Sequence, residues 1–108
     1  MKVETKGNST IIKDTESDLV VFLMKVTHEY KSFESKNMII DLSGYEKLSS
    51  KEIATFLPLS QTHRKAKKSF VVVGNTDSSA TGKVVVVPTV QEALDTIEMD
   101  EIERDLGF

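Results

Sequence analysis

The chain has 108 residues, 39% hydrophobic and 29% charged, with a formal net charge of −3, a composition that suits one folded domain, 1–108, and is too short for two. It holds no cysteine, which excludes a disulfide scaffold, a thiolate metal centre and a cysteine nucleophile together. The opening MKVETKGN lacks the apolar core of a secretory leader, and the longest apolar runs, VVFLM and VVVV, fall far short of a membrane span, so a cytoplasmic protein without membrane insertion is expected. Residues 2–5 and 9–14 read as short strands around a Gly7-Asn8 turn and predict an antiparallel hairpin. Thr15, with Asp18 three residues on, reads as a helix start. Leu19, Phe22, Val26, Tyr30 and Phe33 then recur on one helical face, predicting a helix over 16–33 with Leu23 and Met24 widening its buried stripe.

Asn37 to Leu42 is a strand of consecutive apolar residues, the pattern of a sheet covered on both faces. Ser49-x-x-Glu52 is a capping box that opens the next helix, with Ile53, Phe56 and Leu57 apolar. Pro58 predicts a kink, or a second helix over about 58–67, because a mid-helix proline removes a hydrogen bond and clashes with the preceding turn. Ser69 to Gly74 is another buried strand, 75–83 a polar loop, and Val84 to Val87 a last apolar strand. The nine loop residues are short for a parallel crossover, so an extended connection, an antiparallel pairing or a pairing elsewhere all stay open. Thr89-x-x-Glu92 caps a helix that turns Val90, Ala93, Leu94 and Ile97 inward, and Asp100-x-x-Glu103 is placed to restart a final turn or two.

In this order the chain resembles a STAS domain, the family named for sulfate transporters and anti-sigma factor antagonists. The resemblance rests on MIIDLSG, YEKLSSKE, IATFLPL, FVVVGN and VVVVPTVQEAL, and covers nearly the whole chain. It implies a single-domain α/β fold: a mixed sheet, made of an N-terminal β-hairpin plus parallel strands, with helices packed on it. It also implies a module that binds other proteins and does not turn over substrates. In anti-sigma factor antagonists the loop after the strand carries Asp-Ser-Ser-Gly, whose first serine is phosphorylated by a partner kinase. Counted from Asp41, that motif falls on Ser49, Ser50, Lys51 and Glu52, so one position of four is kept and Ser50 is the candidate phosphosite. A phosphate there would add nearly two negative charges and three acceptors.

The candidate partner surface is therefore Ser43, Gly44, Tyr45, Ser49, Ser50, Lys51, Glu52 and Thr55, and the expected partner is a kinase-like or sigma-regulating protein. A second surface is the acidic end, Glu98 to Phe108. Residues 89–108 carry seven acids and one base, which leaves the rest of the chain net positive. Packing of Ile102, Leu106 and Phe108 on the domain is the expectation there, against exposure as a recognition helix. The alternative function is a small-ligand or nucleotide-binding domain with a pocket near Asp41, Ser43 and Gly74, at strand ends.

Other constellations point nowhere catalytic, and no cofactor is implied. DSSATGKV at 77–84 lacks the first glycine and the final Ser/Thr of a phosphate loop. His28 and His63 stand alone, without metal-ligand spacing, and both are expected at the surface or its boundary. HRKAKK at 63–68 reads as a solvated basic helix face rather than a nucleic-acid site.

Overall fold

In a computed structural model, which describes residues 1–76 and 84–107, five strands form one sheet in the order β1-β2-β3-β4-β5. The strands are β1 (Lys2–Lys6), β2 (Ser9–Lys13), β3 (Asn37–Asp41), β4 (Phe70–Val73) and β5 (Val85–Val87). The helices are α1 (Leu19–His28), α2 (Tyr30–Phe33), α3 (Ser50–Ala54), α4 (Leu57–Lys65) and α5 (Val90–Asp105). β1 and β2 form the predicted antiparallel hairpin, with Gly7 at a φ of 57° in its turn, a conformation glycine adopts without steric cost. All later neighbours pair in parallel, and Ile11, Ile39, Val71 and Val85 lie in register across the sheet. The connection into β5 thus belongs to a parallel pair, despite its length. Residues 77–83, and with them most of the phosphate-loop-like stretch, lie outside the described residues, as does Phe108.

The sheet is covered on both faces, as the apolar run of β3 predicted. Met38 and Ile40 point to one face and Ile39 to the other; Phe70 and Val72 oppose Val71 and Val73 in the same way. Each step from β2 to β3 to β4 moves in the same direction across the sheet. Crossovers of one hand then put all their helices on one side. Phe22, Val26, Phe33, Ile53, Phe56 and Leu59, from α1 to α4, accordingly share the larger core with Ile12, Met38, Ile40 and Phe70. Among the described residues α5 alone covers the other face, through Ala93 and Ile97.

The helices depart from the sequence reading in particular places. The segment 16–33 is two helices. Ser17 adopts a φ of 54°, the Asp18 carboxylate caps α1 by accepting from the Val21 N–H at 3.2 Å, and Glu29 leaves helical geometry between α1 and α2. Met24 is 66% exposed, not core, because α1 turns only Phe22 and Val26 fully inward. Pro58 separates α3 from α4 and sits in the first turn of α4, where its missing N–H would lack an intrahelical partner anyway. α5 runs unbroken through Asp100, with no restart, and leaves Ile102 and Leu106 exposed instead of packed.

Candidate functional site

The loop between β3 and α3 leaves the sheet at the C-terminal ends of the parallel strands. Its underside is fixed. The Leu42 N–H donates to Val73 O at 2.7 Å, Leu48 N–H to Asn75 O at 2.7 Å, and the Asn75 amide to Glu46 O at 3.0 Å. Leu48 is buried and packs over Gly74, where an added Cβ would lie 2.7 Å from Leu48 Cδ1. The Asp41 carboxylate accepts from the Ser43 N–H at 2.9 Å and closes the first bend of the loop. Tyr45 lays its ring against the main core and donates its phenol to Asp14, whose other carboxylate oxygen accepts from the Glu16 N–H at 2.9 Å. Burial first, and then the hydrogen bond and charge of Asp14, push the Tyr45 pKa up. The phenol therefore stays protonated as a donor across the neutral range.

Above these anchors the polar groups face solvent. Ser43, Gly44, Ser49, Ser50, Lys51 and Thr55 are exposed, and Tyr45 and Glu52 are half-buried. Ser49 caps α3 as its spacing predicted: Ser49 Oγ accepts from the Glu52 N–H at 3.1 Å, and Glu52 Oε1 accepts from the Ser49 N–H at 2.9 Å. Ser50 opens the first turn beside it, free of any capping duty. The eight sequence-named residues lie along one segment, 43–55, made of the β3–α3 loop, α3 and the residue that caps its end. The groups named for a ligand pocket are used internally: Asp41 holds the loop bend, and Gly74 is covered by Leu48.

Sequence reasoning missed two features. His63, expected at the surface, is fully buried between α4, α2 and the sheet. Its Nε2 meets Lys36 O at 2.7 Å and its Nδ1 meets the Tyr30 hydroxyl at 2.7 Å. A carbonyl only accepts, so the proton sits on Nε2 and the tyrosine donates to Nδ1. Burial pulls the His63 pKa down; the Lys36 carbonyl opposes this, and the Lys68 charge adds to it. Only the 4-residue spacing from Leu59 hinted at that inward position. The second feature is Arg104, which reaches across from the acidic helix to Ser69 Oγ at 3.2 Å, next to the basic end of α4.

Among the described residues no three His, Cys, Asp or Glu side chains gather into a metal-holding group, and no helix is long and apolar enough to cross a membrane. No protein-family model matches the sequence, and no curated protein matches it. Among solved structures the chain is similar to RsbS of Moorella thermoacetica, in a serine-to-glutamate variant. The TM-score is 0.62 at 15% identity, over 90% of this chain and 96% of that one. At that identity the likeness speaks for the fold, a STAS-like mixed α/β sheet.

Proposed function

We propose that the chain is a non-catalytic regulatory module of the cytoplasm, working by contact with another protein through loop 43–50 and the start of α3. The observation that carries this reading is a polar rim presented on a rigid base. Leu48, Tyr45 and Asp41 fix the loop from beneath, while Ser43, Gly44, Ser50, Lys51 and Thr55 stay exposed. A surface held in one shape before binding loses little conformational entropy on association. The resemblance of YEKLSSKE to the switch loop of anti-sigma factor antagonists, and the fold shared with RsbS, support a partner of the kinase-like or sigma-regulating kind. Phosphorylation of Ser50 would add close to two negative charges beside Glu52, in the same turn of α3. It would weaken an interface with an acidic partner and create a contact for an arginine-bearing one.

The test is quantitative recovery of partners from the source cells with the tagged chain, comparing wild type, Ser50→Glu and the double variant Lys51→Glu/Thr55→Arg. A partner recovered by wild type and lost from the double variant at unchanged melting temperature supports the reading. Partners retained by both variants would remove the loop from the interface. Intact-mass analysis of the same material reads whether Ser50 carries phosphate.

A further inference from the structure

At the opposite end of the sheet, α4 and α5 end side by side. Arg64, Lys67, Lys68, Arg104 and Gly107 line a cleft of about 360 Å³ between them. Three of these cations come from the run HRKAKK; the fourth is the lone base of an acidic helix, brought in from 36 residues downstream of Lys68. Among the described residues no acidic side chain lines the cleft. Among the described residues none of the four cations makes an ion pair; the one surface pair is Lys25 with Glu16.

Arg104 is positioned, not free. Its Nη1 donates to Ser69 Oγ at 3.2 Å, and that fully buried hydroxyl donates to Asp100 Oδ2 at 2.9 Å. Lys67 stands at a φ of 63°, in the turn that ends α4, where its N–H donates to Arg64 O at 2.9 Å. A glycine takes that conformation without penalty, whereas a lysine is strained there. The chain thus keeps a cation at a position where its backbone is disfavoured. Cations near helix C-termini are expected from the macrodipole, but two helix ends supply only about half a negative charge each. Asp100 is engaged by the Ser69 hydroxyl, and among the described residues the lining of the cleft holds four cationic side chains and no acidic one.

We infer that this cleft binds the phosphate group of a small phosphate monoester, held by Arg104 and Arg64 with Lys67 and Lys68 supplying charge. Guanidinium groups suit the phosphate because their N–H pairs match two of its oxygens at once. The concave setting concentrates the field of the four cations on one spot. The site lies at the far end of the strands from loop 43–50 and stands or falls independently of it.

The experiment is an amide chemical-shift titration at constant ionic strength with inorganic phosphate, glycerol phosphate and a phosphoserine peptide in parallel, on wild type, Arg104→Gln and Lys67→Gly. Saturable shifts confined to 64–69 and 104–107 support the site. Arg104→Gln should weaken phosphate about tenfold or more, the loss of a charge-assisted hydrogen bond. Lys67→Gly should weaken phosphate while raising the melting temperature of the unliganded chain, a pair of opposite signs that a purely structural lysine would not give. Shifts that are absent, that spread over every surface lysine, or that survive Arg104→Gln unchanged would overturn the site. Binding of the phosphoserine peptide well above glycerol phosphate would overturn the small-molecule assignment.

Discussion

The two faces of the sheet are built to different depths. On one, four helices and the β3–α3 loop enclose Phe22, Phe33, Leu48, Ile53, Phe56 and Phe70; on the other, one helix seats Ala93 and Ile97 on Ile39, Val71 and Val73. The cause is topological, since every crossover of one hand stepping in one direction delivers its helix to the same side. The thin face therefore depends on α5, whose outer residues Met99, Ile102 and Leu106 are exposed. The deep face should carry most of the stability, and the thin face should open first.

Phe56→Ala on the deep face should cost about 3–5 kcal/mol, the range for emptying a fully packed aromatic site. Ile97→Ala on the thin face should cost less, about 2–3 kcal/mol, because α5 can settle inward. Denaturant melts compare the two, and equal losses would break the contrast. Native-state hydrogen exchange should likewise show α5 amides opening below the free energy of β3 amides. Gly74→Ala should cost about 1–3 kcal/mol by driving Leu48 out of its seat over the strand end. Much of that cost should return in Gly74→Ala/Leu48→Ala, read by a double-mutant cycle.

A pH series tests the deep face by another route. His63 is buried neutral, its pKa below the unfolded value near 6.5. The unfolded chain then binds the proton first as pH falls. Stability is full above about pH 6.5 and is lost as pH drops through the folded pKa. Urea melts between pH 7.5 and 5 should show that decline, and His63→Leu should flatten it. At the rim, Ser49→Ala should cost about 1 kcal/mol through loss of the α3 cap, while Ser50→Ala should stay within about 0.5 kcal/mol of wild type by thermal melts. One further effect has the opposite sign. Ser60 Oγ is the buried side-chain polar atom without a partner among the described residues, so Ser60→Ala should raise stability by about 0.5–1 kcal/mol in the same melts.

The strands and the α3 cap were legible in the sequence because each is written locally. The consecutive apolar residues of β3 and β4 state that both faces are covered, and Ser49-x-x-Glu52 states its own hydrogen bonds. What stayed hidden depends on partners distant in the chain. Helical spacing gave the stripe through Phe22 and Val26, but not the break at Glu29 or the exposure of Met24. His63 reads as a polar residue in a basic run; only Tyr30 and the Lys36 carbonyl, 33 and 27 residues away, explain its burial. Arg104 reads as a stray base among acids until Ser69 is placed beneath it.

The strand order has a consequence for how the chain is made. Each strand after β1 hydrogen-bonds to its immediate predecessor in the sequence. During synthesis, which delivers the N-terminus first, every strand from β2 onward meets a partner already made as it leaves the ribosome, and only β1 waits, for the length of one hairpin turn. The sheet can lengthen like a fence put up post by post, with a single growing edge exposed at any moment until α5 arrives to roof its second side.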